Sequence, residues 1–165
     1  MLKADATNPL FYRKEEKKMT RNQSIAIELL NMIKKGAEIQ IEYRCIDDEL
    51  SFWYYKNSVV DVIYIFNYTS EEQAVVLYNK CKAIIESKKI NAEATRNQRL
   101  AIRLINKVEK GMDIKIEYNC CLDDTKLCHD YLNDQFGRIE IRKRYMDEDF
   151  RKCLRVIKDA KKSGF

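Results

Sequence analysis

The chain has 165 residues, with 31 Lys and Arg against 26 Asp and Glu, a net charge of +5 and a single histidine. At 45% hydrophobic it is too apolar for wholesale disorder, and 4 Gly with 1 Pro are too few for a turn-rich β-sandwich or a collagen-like chain. No apolar run approaches the roughly 20 residues of a membrane span, so a soluble, cytoplasmic protein without a membrane partner is expected.

Residues 1–19 read as a polar arm with scattered charges and no signal-type apolar core. From residue 20 an internal repeat begins. Residues 20–45, TRNQSIAIELLNMIKKGAEIQIEYRC, match residues 95–120, TRNQRLAIRLINKVEKGMDIKIEYNC, at 15 of 26 positions and a fixed offset of 75. Such similarity implies a supersecondary unit used twice. Both copies open with Thr and Gln at capping-box spacing, Thr20 with Gln23 and Thr95 with Gln98. Apolar residues then recur at helical spacing: Ala26, Leu29, Leu30 and Ile33 in one copy, Ala101, Leu104, Ile105 and Val108 in the other. Gly36 and Gly111 stand where a left-handed residue would end each helix. Residues 38–45 and 113–120 alternate apolar and polar, as half-buried strands do.

Beyond the strands the copies diverge. In the first, residues 51–56 predict a strand, and the nearly all-apolar run 59–66 predicts one buried on both faces at the centre of its sheet. Ser70 caps a helix with Ala74, Leu77, Tyr78, Cys81 and Ile84 inward. In the second, residues 125–133 suit a short helix and 138–145 a strand. Asp147 is placed to cap a last helix with Phe150, Cys153, Leu154, Ile157 and Ala160 inward. The expected architecture is therefore a tandem duplication of two αβ(β)βα units with antiparallel-type sheets, over residues 20–87 and 95–165, joined by a linker at 88–94.

With a middle strand the order becomes α-β-β-β-α, which resembles that of double-stranded-RNA-binding domains. Those domains present lysines to phosphate at the start of the last helix. Here the turns read Ser70-Glu71-Glu72 and Asp147-Glu148-Asp149, which would repel a phosphate backbone. The resemblance is one of element order only.

Catalytic sets are scarce. There is no P-loop, GxGxxG or GxSxG pattern, and His129 is the sole histidine base. Cys120, Cys121, Cys128 and His129 have metal-binding chemistry, but they come as adjacent residues, which on a strand point to opposite faces. Buried thiols are the expectation, with no metal and no cofactor. The pairs Asp47-Asp48 and Asp123-Asp124 follow a strand in each copy; they suit Mg²⁺ in a nuclease, or more simply a polar turn.

Charge divides the halves. Residues 20–94 hold 9 basic and 11 acidic side chains, residues 95–165 hold 17 and 12. Ser24, Glu28 and Met32 become Arg99, Arg103 and Lys107, which form one helical ridge with Arg96, while Arg138, Arg142, Lys143 and Arg144 cluster further on. These make a candidate anion-binding face. The run Phe52-Trp53-Tyr54-Tyr55 is a candidate partner-binding aromatic segment, as exposed rings anchor interfaces. Together these features point to a small non-enzymatic binding protein, of the inhibitor or adaptor type carried by phages and mobile elements, docking on a host nucleic-acid-handling protein complex. Direct nucleic-acid binding through the basic second half is the alternative.

Overall fold

The structure, a computed structural model, describes residues 19–88, 90, 92–130 and 136–164. The predicted arm at 1–19 lies almost wholly outside these residues. Among those described, the chain is a mixed α/β protein of four α-helices and one six-stranded antiparallel sheet. In chain order the elements are α1 (Arg21–Met32), β1 (Ile39–Arg44), β2 (Glu49–Lys56), β3 (Val59–Ile65), α2 (Glu71–Ser87), α3 (Arg96–Lys107), β4 (Ile114–Asn119), β5 (Asp124–His129), β6 (Gly137–Glu140) and α4 (Met146–Lys162), with a 3-10 turn, Lys143–Tyr145, before α4.

The sheet order is β3-β2-β1-β4-β5-β6, so the two similar segments contribute three strands each to a single sheet and meet along β1 and β4. Their register centres on Glu42 opposite Glu117, with Gln40 facing Asn119 and Arg44 facing Lys115. Residue numbers 75 apart exchange under this pairing. The flanking backbone bonds follow the same rule: Gly36 N donates to Cys120 O at 3.1 Å and Gly111 N to Cys45 O at 2.8 Å. Gly36 and Gly111 do adopt positive φ, 97° and 101°. They stand in the turn before the strand, because α1 and α3 already end in extended residues, Ile33 and Val108.

Alternation gives the sheet two unlike faces. Ile39, Ile41 and Tyr43 of β1, Leu50, Phe52 and Tyr54 of β2, and Ile114, Ile116 and Tyr118 of β4 are buried with the inward residues of the helices in one core. Among the described residues, no helix layer covers the alternate residues. Both capping boxes form as the spacing predicts, and each has a second use. Gln23 accepts from Thr20 N, while its Nε2 donates to Ile105 O at 2.6 Å and Val108 O at 2.9 Å, the last carbonyls of the other segment's helix. Gln98 returns the arrangement to Leu30 O and to Ile33 O. Four carbonyls that a helix end leaves unsatisfied are thus bonded across the α1–α3 contact.

Four expectations fail here. The apolar run 59–66 forms an edge strand, with Val59 65% and Val60 48% exposed. Its apolar outward residues are an uncovered surface and not a second core face. Part of the helix expected over 125–133 is strand β5, whose Thr125 and Leu127 face the core beside Tyr118 and Ile116; residues 131–133 lie outside the described set. The strand expected over 138–145 stops at Glu140. Asp147 does not cap α4, which begins one residue earlier without a side-chain cap. Ser70 does cap α2, accepting from Gln73 N at 3.1 Å.

Candidate functional site

Strand alternation splits the aromatic run. Phe52 and Tyr54 point into the core, 0% and 5% exposed, so they are unavailable to a partner. Trp53 and Tyr55 lie on the open face, opposite Val62 and Val60 of β3. Trp53 meets Tyr64 edge-on, with centroids 6.3 Å apart; Tyr64 stacks on Phe66 at 5.5 Å, and Phe66 on Tyr68 at 5.0 Å. Four rings therefore run in a row along the β3 side of the sheet, reaching Tyr68 at 79% exposure. Tyr64, Phe66 and Tyr68 stand at period 2 in the sequence, a signal that the expectation of an interior strand over 59–66 hides. Trp53 Nε1 is buried and has no hydrogen-bond partner among the described residues. Beside it a groove of about 480 Å³ is lined by Glu38, Gln40, Glu42, Trp53, Tyr55 and Leu122, among others.

The rest of the open face is charged. Lys115 Nζ bridges Glu42 at 3.6 Å and Glu117 at 3.1 Å, and Gln40 Nε2 donates to Glu42 at 2.7 Å. Burial, opposed by Lys115, raises the Glu42 carboxyl above the usual range.

The basic candidates do not form one surface. Arg96, Arg99, Arg103 and Lys107 are exposed on α3, on the helix side of the molecule. Arg96 is ion-paired with Asp147 at the start of α4, and the Arg103 guanidinium sits 4.5 Å over the Phe150 ring. Arg142 closes a two-pronged contact on the buried Asp149, 3.0 Å and 2.9 Å, and covers the Tyr145 ring. The Arg142 hydrogen bonds hold the Asp149 carboxyl below its ordinary range. Arg144 is exposed in the 3-10 turn, and Arg138 is exposed on β6 opposite Cys128, on the open side of the sheet.

The acidic and thiol candidates have places in the fold. Asp48 Oδ1 accepts from Thr20 Oγ1 and from Tyr43 OH, both at 2.6 Å; Asp123 Oδ1 accepts from Thr95 Oγ1 and Tyr118 OH, both at 2.6 Å. The equivalent carboxylates are thus Asp48 and Asp123, which tie the helix start to the end of its strand. Asp47 pairs with Arg44, and Asp124 lies 3.9 Å from Lys126. Cys120 is buried and donates to Lys34 O, and burial pushes its thiol up to about 11. Cys128 is buried, Cys121 is exposed, and His129 Nδ1 lies 2.5 Å from Asp130. Among the described residues no group of three His, Cys, Asp or Glu is placed to hold a metal, and no helix is long and apolar enough to cross a membrane.

Among the described residues, the geometry defines a two-layer α/β protein with one sheet face that no helix covers. Compared with known proteins, the chain matches no family model, no curated protein and no solved structure.

Proposed function

We propose that the chain is a non-enzymatic protein-binding module that docks a partner against the aromatic side of its open sheet face. The observation that carries this reading is the row Trp53, Tyr64, Phe66 and Tyr68, flanked by exposed Tyr55 and Val60. A contiguous apolar patch of this kind is costly to leave in water and is typical of an interface. It adjoins β3, an edge strand of the sheet, where a partner strand can add main-chain bonds to side-chain contacts. We read the two halves as a duplicated αβββα unit, on the identity of residues 20–45 with 95–120 and the symmetric register at Glu42 and Glu117. Divergence then left the aromatic row in the first half only. Six cysteines outside any disulfide, five of them buried, suit the reducing cytoplasm in which we place an inhibitor or adaptor of this kind.

The test is affinity capture from nuclease-treated extract of the source cell, with wild type and a Tyr64→Ala/Tyr68→Ala variant. Both residues are exposed, so the fold should survive their loss. A protein held by wild type should be weakened by about ten- to a hundredfold in the variant, as befits interface anchors. The same partner should protect Cys121, which lines the groove, from alkylation. Equal capture by the folded variant would overturn the reading.

A further inference from the structure

The helix side of the second half carries a surface of opposite character. On α4, Arg151, Arg155, Lys158 and Lys162 are all exposed and recur at i, i+4, i+7 and i+11, one ridge of the helix. α3 lies beside it and runs in the same direction: Arg96 meets Asp147, Arg103 covers Phe150, and Glu109, just past the end of α3, pairs with Lys161. The α3 ridge of Arg99, Arg103 and Lys107 therefore stands parallel to the α4 ridge.

None of these seven cations is in an ion pair among the described residues, although Arg103 lies on a ring and Arg99 bonds its own Ala94 carbonyl. All but one of the acidic residues of α4 that could neutralise them are engaged elsewhere. Asp147 pairs with Arg96, Glu148 and Asp149 with Lys152 or Arg142; Asp159 is the remaining carboxylate of α4.

The first half shows that the fold does not require this charge. Aligning the inward residues Ala74, Tyr78 and Cys81 of α2 with Phe150, Leu154 and Ile157 of α4 sets Val75, Asn79, Lys82 and Glu86 against the α4 cations. On α1 the counterparts are Ser24, Glu28 and Met32. The same pair of ridges thus has seven cations in one half and one cation with two carboxylates in the other.

We infer that the α3–α4 face binds the phosphate backbone of a nucleic-acid duplex, without reading its sequence. At 1.5 Å rise per residue the α4 ridge is about 16 Å long and the α3 ridge about 12 Å. Packed helices lie about 8–10 Å apart, so two short rows of charge are presented side by side. A duplex carries about one phosphate per 1.7 Å of axis, so several fall within that footprint. The ridges include no aromatic side chain on which an unpaired base would stack, which favours a duplex over a single strand. This surface is on the side of the molecule away from the aromatic row, so it extends the protein-binding reading and does not rest on it.

Fluorescence anisotropy with a labelled 20-base-pair duplex across 50–200 mM KCl tests the inference. With about five phosphates contacted, wild-type affinity should fall roughly five-hundredfold over that range. Arg151→Glu/Arg155→Glu/Lys158→Glu, checked for folding by circular dichroism, should bind at least a hundredfold more weakly at 50 mM. Tyr64→Ala should bind like wild type, so that this inference and the protein-docking reading fail separately. Salt-independent binding, or wild-type affinity in the folded triple variant, would overturn the inference. So would tighter binding to oligo-dT, which would assign the face to single strands, or equal binding to poly-glutamate, which would assign it to an acidic protein.

Discussion

Asp48 and Asp123 have φ near +52° and +54°, in the left-handed region that asparagine and aspartate tolerate best. Each collects two hydroxyl donors on one oxygen, from the Thr that caps a helix and the Tyr in the adjacent strand. The hydrogen bond to the carboxylate adds to burial in pushing the Tyr43 and Tyr118 phenols far above their usual range. Asp123→Ala would strand both hydroxyls and strain the turn, an expected loss of about 2–4 kcal/mol in denaturant unfolding. Asp149→Asn should cost less, about 1–2 kcal/mol, because Arg142 is half exposed and screened by solvent. The sign of its pH dependence follows from the lowered folded-state carboxyl. The pair's contribution is complete above the ordinary aspartate range and is lost as pH falls through that range and below the folded value. Thermal midpoints of wild type and Asp149→Asn should therefore separate at neutral pH and converge in acid.

Among the elements, those with a local signature were legible. α1 and α3 announced themselves by capping boxes and helical periodicity, β1 and β4 by strict alternation, and these are the segments the structure joins at its centre. The edge position of β3 and the strand identity of β5 depart from the sequence reading because those signals depend on neighbours. An apolar run is the same whether it lies between strands or at an edge with one face bare, and only the sheet order distinguishes them. Cys128 and His129 gave β5 no clear period, yet pairing with β4 fixes it as a strand. The second role of the capping glutamines was equally hidden, since it exists only across the α1–α3 contact. It makes an unusual prediction. In an isolated capping box Glu serves as well as Gln, because only a returning oxygen is needed. Here Nε2 donates to two carbonyls of the opposite helix, and a carboxylate would face them without a proton. Gln98→Glu should lower unfolding free energy by about 2–3 kcal/mol, measured by urea titration, and a gain or no change would show that the cross-helix bonds contribute little.

At the scale of the molecule, the candidate surfaces follow from joining two similar halves along one strand pair. Antiparallel pairing of β1 with β4 sets the aromatic row near one edge of the sheet and the basic helices at the opposite end of the helix layer. Pairing like with like also forces Glu42 directly against Glu117, where opposed carboxylates repel. Lys115 and Gln40 relieve this contact in part. The raised Glu42 carboxyl shows that burial outweighs them: the charged form is less favourable in the folded chain than in the unfolded one. For an acid shifted upward the folded state gains on protonation, so stability from this site rises as pH falls through the glutamate range. Glu42→Gln should remove the penalty at neutral pH while keeping a hydrogen-bonding side chain. Its thermal midpoint should exceed that of wild type at pH 7, and the difference should close near pH 4. Lys115→Met takes away the cation that both carboxylates share, and should lower the midpoint at pH 7 in wild type but much less in a Glu42→Gln background. Equal losses in the two backgrounds would mean that Lys115 acts through packing, and that the centre of the sheet is indifferent to the charges that meet there.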